Sequence, residues 1–415
     1  MSDALRPAAR YDVAVIGAGP AGTTTAALLQ ASGLDVAIFE RSRFPRFSIG
    51  ESLLPVCNDV LHEAKLFDLV AAQGYQVKNG AVFIRGGERC EFDFAQKFGA
   101  GADWTWQVPR ADFDNVLAEG VRARGVPIFF EHGVAEVRVG GAPRLGIEAP
   151  DGARFDVDAR FIVDASGFGR VLPRLLDLEV PSSQPRRMAL FTHVRGDRRP
   201  EGPNAGRIWV MIHETDVWIW IIPFSDGRTS VGVVAPPAWY DALPEDPTAR
   251  LRAAIAADPA TRERLAAAEF LFEPRHMVGY SAAAKRIHGE GYCLVGNATE
   301  FLDPVFSSGV ALALSSARRA SGALVRQLAG ETVDWQTEYA AYMERGIDTF
   351  RSYVNAWYDG SFHEICFAHP GNERFKSMIC GALAGYVWNL ENPFVREHKR
   401  KLAQMLRLVR ANPAA

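Results

Sequence analysis

The chain has 415 residues, with 49 acidic against 46 basic side chains and a formal net charge of -3. A chain of this length can hold two or three domains, and its 48% hydrophobic and 23% charged residues are typical of a soluble globular protein. The slight negative charge excludes a general nucleic-acid binder, which is usually strongly basic.

The spacing of the cysteines and the sequence of the N-terminus indicate in which cellular compartment the protein is expected. The cysteines are scattered and form no C-x-x-C pair: Cys57, Cys90, Cys293, Cys366 and Cys380. This spacing argues against a zinc site or a disulfide framework and fits a reducing environment. The start, MSDALRPAAR, lacks the apolar core of a signal peptide, and no apolar run of about 18 residues occurs. The sequence therefore predicts a cytoplasmic protein with no metal site and no transmembrane segment.

The first predicted unit runs from Tyr11 to Glu40 as strand, glycine turn, helix and strand. Its glycines stand at G-x-G-x-x-G spacing: Gly17, Gly19 and Gly22. In such a unit the glycines allow a tight turn, close approach to a pyrophosphate and close packing of helix on strand. The helix N-terminus offers free N–H groups to phosphates. Glu40, about 20 residues on, suits the ribose hydroxyls, so the unit is predicted to bind a dinucleotide.

The rest of the chain alternates between segments predicted to be β-strands and segments predicted to be helices. Arg41, Arg43 and Arg46 either cover the pyrophosphate or adenine or form a solvated loop. Strand patterns with glycine turns between 75 and 94 begin a second sheet. After a helix near 110–124 and strands ending in VDASG, residues 188–234 are β-rich and aromatic, typical of a broad sheet over a pocket. Residues 245–268 and 335–410 are predicted to be mostly helical.

This order predicts an α/β fold in which a Rossmann-like nucleotide domain is interwoven with a β-sheet substrate domain, followed by a C-terminal helical region. The nucleotide domain is assigned to 8–79, 100–175 and 275–330. The substrate-covering sheet is assigned to 80–99 and 176–274, and the helical region to 331–415. The tail REHKRKLAQMLRLVR is a basic amphipathic helix. It either packs on the body with a solvated basic face, receives an acidic carrier protein, or lies on a membrane surface.

Four separated motifs resemble the FAD-dependent monooxygenases related to hydroxybenzoate hydroxylase: the N-terminal fingerprint, QVPRADFDNVL, VDASG and GYCLVGNATEFLDPVFSSGV. Within that superfamily, IGESLLP and WIWIIP resemble the flavin-dependent halogenases, whose W-x-W-x-I-P hallmark is matched from Trp218 to Pro223. The resemblance spans roughly residues 11–327 and implies FAD as the cofactor. The FAD-binding residues that it implies are Gly17, Gly19, Pro20, Ala21, Gly22, Glu40, Arg41, Ser48, Gly50, Glu51, Ser52, Arg110, Asp164, Ala165, Ser166, Gly167, Asn297, Asp303, Pro304, Gly309 and Val310.

The resemblance also implies a mechanism. In such halogenases reduced FAD and dioxygen oxidise a bound chloride or bromide to hypohalous acid, which passes to a lysine and then halogenates an electron-rich ring. Lys78 takes the place of that lysine; the alternative is a solvated surface charge. Trp218, Trp220 and Pro223 would shield the flavin from the substrate, although alternate residues of one strand face also pack together.

The halide is expected at the backbone N–H groups of Ser308 and Gly309. The alternative is a glycine-bearing loop that only approaches the flavin. The chain departs from the family at two positions. Phe306 stands where tryptophan halogenases carry a glutamate, which places the chain nearer the branch acting on phenols or pyrroles. Asn297 stands where the superfamily has an aspartate; it can still hydrogen-bond ribityl hydroxyls.

The visible dinucleotide fingerprint serves FAD, so reduced FAD is expected from a separate flavin reductase. The substrate is expected to be a phenolic or pyrrolic ring, free or tethered to a carrier protein. Two other functions remain open. One is an FAD-dependent hydroxylase or dehydrogenase of the same fold. The other is a flavin-holding interaction protein without turnover, for which Asn297 is the support.

Overall fold

A computed structural model describes residues 7–182, 184–368 and 373–411. The strands are β1 (Arg10–Ile16), β2 (Val36–Glu40), β3 (Gln76–Lys78), β4 (Gly80–Arg85), β5 (Glu88–Asp93), β6 (Thr105–Gln107), β7 (Ile128–Phe130), β8 (Gly133–Arg138), β9 (Arg144–Glu148), β10 (Arg154–Asp164), β11 (Glu179–Pro181), β12 (Met188–Arg195), β13 (Ile208–Glu214), β14 (Val217–Pro223), β15 (Thr229–Ala235), β16 (Glu269–Phe270), β17 (Arg275–Val278), β18 (Ala282–Ala284), β19 (His288–Gly289), β20 (Tyr292–Leu294) and β21 (Glu300–Phe301). The helices are α1 (Pro20–Ala31), α2 (Val56–Glu63), α3 (Phe67–Ala71), α4 (Arg110–Arg122), α5 (Val171–Leu175), α6 (Pro247–Ala257), α7 (Pro259–Arg264), α8 (Ser308–Leu328), α9 (Ala341–Tyr358), α10 (Ser361–Phe367), α11 (Glu373–Leu383), α12 (Pro393–Arg396) and α13 (His398–Ala411).

The first sheet has the strand order β19-β20-β10-β1-β2-β7, with β8 and β9 attached to β10. β1 is parallel to β10 and β2 and is buried on both faces. Val13 and Val15 pack with α1, α4 and α8, whereas Ala14 and Ile16 pack in the core on the other side. Parallel strands covered on both faces carry such unbroken apolar runs. β1, β10 and β20 therefore end at one edge, where three loops meet.

The second sheet has the order β16-β12-β15-β14-β13-β4-β5, with β17 paired to β12. Both faces of β14 are buried. Trp218, Trp220 and Ile222 pack on one side with the C-terminal helices, and Ile219 and Ile221 pack on the other with α6. This sheet lies over the loop edge of the first sheet and closes the site between them.

The predicted α/β architecture, with two interwoven sheets and a helical C-terminal region, is confirmed. The pairing of β17 with β12 extends the second sheet past residue 275, where the predicted nucleotide domain resumes. The assigned domain boundaries stay a prediction, and residues 183, 369–372 and 412–415 of those ranges lie outside the described residues. α13 packs on the body through Leu402 and Met405.

Within the described ranges, no helix combines the length and the apolar character needed to cross a membrane. In the same ranges, no group of three or more His, Cys, Asp or Glu side chains is arranged to hold a metal ion.

Candidate active site

The three glycines of the first turn differ in how much space surrounds their Cα atoms. Gly17 has φ +96°, and a Cβ there would lie 2.8 Å from the carbonyl oxygen of Ala165. A Cβ on Gly22 would lie 1.9 Å from the carbonyl oxygen of Gly17. A Cβ on Gly19 would meet only the guanidinium of Arg46, at 3.7 Å. Gly17 and Gly22 are thus required by the packing of the fold, whereas Gly19 leaves its backbone open to a ligand.

Glu40 lies at the end of β2 and is 5% exposed. One carboxylate oxygen accepts the Ala18 N–H at 2.9 Å, and the other accepts the Ser42 N–H at 2.8 Å. An ionised carboxylate has about four acceptor positions, so both oxygens can still accept ribose hydroxyls. Two backbone amides thus fix the orientation of the Glu40 side chain at the cavity.

One cavity runs from this turn along the sheet edge to β14. The predicted residues that line it are Gly17, Gly19, Pro20, Ala21, Glu40, Arg41, Ser48, Gly50, Glu51, Ser52, Arg110, Ala165, Ser166, Gly167, Trp218, Trp220, Asn297, Pro304, Gly309 and Val310. Residues that sequence reasoning missed include Phe168, Phe191, Tyr280, Phe301 and Ser307. Most of the predicted site residues, drawn from six separated segments, therefore meet at one site.

The remaining predicted residues are absent from the cavity lining and have other contacts. Asp164 accepts the N–H groups of Ser166 at 2.8 Å and Leu172 at 2.7 Å, and its burial raises its pKa. Asp303 accepts the hydroxyl of Tyr280 at 2.9 Å. Both carboxylates shape the loops that line the cavity. Gly22, Pro223, Ser308 and Lys78 are likewise outside the lining.

Arg110 fixes the segment 47–52 against the cavity. Its guanidinium makes a bidentate ion pair with Asp114 at 2.7 and 3.0 Å. A further nitrogen donates to the carbonyl of Ile49 at 2.6 Å. Bidentate pairs of this kind are geometrically specific, so the predicted cofactor residue Arg110 holds the backbone of the segment that contributes Gly50, Glu51 and Ser52.

The N-terminus of α8 faces the cavity. Ser307 is in the left-handed region, with φ +57°, and α8 begins at Ser308. The first N–H groups of a helix have no intrahelical acceptor and carry the positive end of its dipole. Ser307 and Gly309 line the cavity, whereas Ser308 is 2% exposed and is not among the lining residues. An anion in the cavity would therefore meet the backbone beside Gly309 rather than the Ser308 side chain.

Two indoles form the wall opposite the glycine turn. Trp218 and Trp220 are 2% and 5% exposed, with ring centroids 6.0 Å apart. Trp220 donates to Ser230 at 3.0 Å, and Trp218 donates to the hydroxyl of Tyr358 at 3.0 Å. Tyr358 in turn hydrogen-bonds the carboxylate of Asp303. The indoles are thus packing residues that also line the cavity, and their shielding of the flavin stays a prediction.

Lys78 is buried, with 1% exposure. Its Nζ donates to the carbonyl oxygen of Leu53 at 2.7 Å and lies 5.4 Å from the centroid of the Phe94 ring. Within the described part of the chain, no carboxylate lies at ion-pair distance from this amine. Burial lowers its pKa to about 7. The alternative of a solvated surface charge is excluded, and Leu53 directly follows Ser52 on the cavity wall.

This burial predicts a pH dependence of stability. The pKa of Lys78 in the folded chain, about 7, lies below the ordinary 10.5, so the unfolded chain binds the extra proton between these values. The free energy of unfolding should therefore rise with pH across that window and lose the gain below pH 7. Relative to Lys78→Met, the native chain should gain about 2–3 kcal/mol between pH 6 and pH 9. Urea unfolding of both proteins at both pH values measures this difference. The same change in the free energy of unfolding with pH in the native chain and in Lys78→Met would contradict it.

Comparisons with known proteins agree with this geometry. Residues 10–345 match the family model of the FAD binding domain. The 1H-pyrrole-2-carbonyl-[peptidyl-carrier protein] brominase of Pseudoalteromonas luteoviolacea is 31% identical over 342 residues, 80% of this chain and 81% of that protein. The corresponding chlorinase of Pseudomonas fluorescens is 28% identical over 418 residues, 94% and 93% of the two chains.

A solved structure is also similar over nearly the whole chain. The flavoprotein/dehydrogenase of Cytophaga hutchinsonii superposes with a TM-score of 0.95 at 46% identity, covering 97% of this chain and all of that one. Together with the brominase, which exceeds 30% identity over four fifths of the chain, and with the match to the FAD-binding model, this defines the family. The chain belongs to the FAD-binding domain family and, within it, to the flavin-dependent halogenases.

Proposed function

We propose that this enzyme uses reduced FAD, dioxygen and chloride or bromide to halogenate a pyrrolic or phenolic ring presented on a carrier protein. The observation that carries this proposal is the buried, carboxylate-free amine of Lys78, which donates to the carbonyl of Leu53, the residue after Ser52 of the cavity wall. Two relatives named for pyrrole-2-carbonyl carrier proteins support the substrate class. Phe306, at the position of the glutamate in tryptophan halogenases, supports the same branch.

The residues present fit FAD. The open backbone at Gly19 and the N-terminus of α1 suit its pyrophosphate, and Glu40 suits its ribose. Asn297 on the cavity wall can hydrogen-bond ribityl hydroxyls. When bound and reduced, FAD would supply two electrons that activate dioxygen, and the activated oxygen would then oxidise the halide. The protein binds it, orients it and excludes water from it.

The halide is proposed to bind at the start of α8, beside Gly309. The free N–H groups and the helix dipole favour an anion there. A Cβ on Gly309 would meet the Phe301 ring at 3.4 Å and the side-chain oxygen of Asn297 at 3.9 Å, so one side of the proposed anion position is apolar and the other carries an amide. The proposal therefore keeps the predicted pair Ser308 and Gly309, with the backbone N–H groups of both residues as the donors.

Lys78 is proposed as the group that receives the oxidised halogen. A lysine must be neutral to act as a nucleophile, and burial brings its pKa to about 7, so a substantial fraction is unprotonated at neutral pH. The amine either hydrogen-bonds hypohalous acid or forms the haloamine with loss of water. In both cases the wall of Trp218 and Trp220 keeps the organic ring away from the flavin.

Loosening this wall should increase the loss of oxidising equivalents. Tyr358→Phe removes the acceptor of the Trp218 indole N–H, which is worth about 0.5–1.5 kcal/mol. We expect the ratio of hydrogen peroxide to halogenated product to rise about 2–10-fold. Tyr75→Phe is the control, because that hydroxyl bonds Asp112 outside the cavity. An unchanged ratio in Tyr358→Phe would contradict a fixed indole wall.

A second candidate function is oxidation or hydroxylation of an organic substrate by the same fold. Two observations favour it: the similar structure bears the name flavoprotein/dehydrogenase, and Asn297 replaces the aspartate of the superfamily. A dehydrogenase would bring the substrate directly to the flavin. That requires an opening in the wall formed by Trp218 and Trp220.

The test is a substrate assay with a separate flavin reductase, NADH, FAD, oxygen and bromide. Pyrrole-2-carbonyl and hydroxybenzoyl groups are offered both on a carrier protein and as free acids, and products are analysed by mass spectrometry. We expect the bromine isotope doublet on the carrier-bound ring. A doublet on the free acid alone would overturn carrier presentation. A product lacking bromine, with two hydrogens lost, would favour the dehydrogenase.

A further inference from the structure

A carboxylate–imidazole pair lies at the inner wall of the cavity. Oε1 of Glu51 is 2.7 Å from Nε2 of His193, and the two residues are 1% and 6% exposed. Among the described residues, the other carboxylate oxygen, Oε2, is buried without a hydrogen-bond partner. A buried oxygen without a partner costs free energy. Because Glu51 lines the cavity, this oxygen points to a ligand that it meets there.

The pair is held from both sides. Glu51 belongs to the segment that Arg110 fixes. His193 comes from β12, on the same strand face as Phe191, which lines the cavity. The imidazole lies among three phenyl rings, with centroid distances of 5.8, 5.2 and 5.2 Å to Phe47, Phe224 and Phe272. Because these three neighbours are apolar, none of them competes with Glu51 for a hydrogen bond to the His193 ring.

The other ionisable groups near the cavity are already committed. The arginines, Arg41, Arg46, Arg110 and Arg275, stay protonated at all relevant pH values; Arg110 pairs with Asp114, and Arg275 stacks on Phe47 and Phe272. Glu40 is bound by two backbone amides. Tyr280 donates to Asp303, and its burial raises its pKa. Of the described lining residues, Glu51 is the carboxylate with a histidine partner and a free oxygen.

We propose that protons enter the closed site through Glu51 and His193, with Glu51 as the catalytic acid and His193 as its positioning partner. This step rests on the proposed halogenation. There FADH2, dioxygen, a halide ion, a proton and an aromatic C–H give FAD, a C–halogen bond and two waters, so each turnover consumes a proton. Oε2 of Glu51 releases that proton into the cavity. Nε2 of His193 returns a proton to the carboxylate through Oε1, and the imidazole takes up a replacement proton from water, so both groups end the turnover as they began it.

The test compares Glu51→Gln, His193→Gln and His193→Gly with the native enzyme. His276→Gln, an exposed histidine on β17, is the control. FAD binding to the apoprotein is followed by calorimetry in buffers of different ionisation enthalpy, which counts the protons taken up. Turnover is measured as a pH profile and as a solvent isotope effect. Imidazole is added to His193→Gly as a probe of the vacated ring.

The expected results distinguish a role of Glu51 and His193 in proton delivery from a merely structural role. His193→Gln, His193→Gly and the control His276→Gln should bind FAD within about threefold of the native enzyme. Turnover should fall about 10–100-fold at unchanged KM in Glu51→Gln and in both His193 variants, and should stay at the native value in His276→Gln. The pH profile of turnover should change in Glu51→Gln and His193→Gln, the proton uptake should disappear, and imidazole should restore part of the turnover in His193→Gly. Unchanged pH profile and proton count in Glu51→Gln and His193→Gln would overturn the inference. If the native enzyme made peroxide but no halogenated product, halogenation itself would fail, and the calorimetric proton count would still decide the role of the pair.

Discussion

Replacing Lys78 with methionine should reduce halogenation on the order of 10²–10⁴-fold, the usual effect of removing a positioned reacting group. Methionine fills the buried space of the lysine stem but provides no amine. FAD binding and the oxidation of reduced FAD by oxygen should remain, because Lys78 contacts Leu53 and Phe94 and is not on the cavity wall. Product yield by mass spectrometry and flavin oxidation by stopped-flow absorbance measure the two effects.

The control for this variant is Lys285→Met, which removes a half-exposed lysine paired with Asp177. It should halogenate at the native rate. Halogenation by Lys78→Met at the native rate would end the assignment of that residue. Loss of flavin oxidation together with halogenation would show instead that Lys78 supports the cofactor site.

Replacing Gly22 with alanine should abolish FAD binding. The added Cβ would stand 1.9 Å from the carbonyl oxygen of Gly17, a backbone atom at the turn that approaches the pyrophosphate. Overpacking against a side chain costs about 1–3 kcal/mol. A backbone atom can move less than a side chain to relieve the clash, so α1 must move away from β1. We expect at least a roughly 100-fold loss of FAD affinity and a lower melting temperature.

Two glycine variants serve as matched controls. Gly322 lies in α8 with nothing within 4 Å of an added Cβ, so Gly322→Ala should gain up to about 1 kcal/mol from helix propensity. Gly19→Ala should melt normally, because its Cβ would meet only the tip of Arg46, yet bind FAD more weakly. Native FAD affinity in Gly22→Ala would contradict the packing argument.

The predictable parts of this fold are those encoded locally. The Tyr11 to Glu40 unit follows from contiguous residues whose spacing fixes strand, turn and helix, and its strands and helix lie where the pattern indicates. The alternation of Trp218 and Trp220 likewise predicts one strand face. Such features depend on near neighbours along the chain, so composition and spacing are sufficient to find them.

The other parts depend on contacts between distant segments. Nothing beside Lys78 in the sequence marks it as buried; its partner, Leu53, is 25 residues away. The Glu51–His193 contact spans 142 residues, and Tyr358 reaches Trp218 across 140. Asp164 and Asp303 were assigned to the cofactor by resemblance, whereas the structure gives both carboxylates loop-shaping contacts. Side chains of this kind are positioned by tertiary packing, which local pattern does not report.

The central claim is that a small oxidant, and not the flavin itself, reaches the organic ring. Turnover under ¹⁸O₂ with bromide and a carrier-bound pyrrole tests it directly by mass spectrometry. The expected product carries the bromine doublet and no ¹⁸O, because both oxygen atoms leave as water. A product containing ¹⁸O and no bromine would mean that the ring meets the oxygenated cofactor, and it would contradict this account.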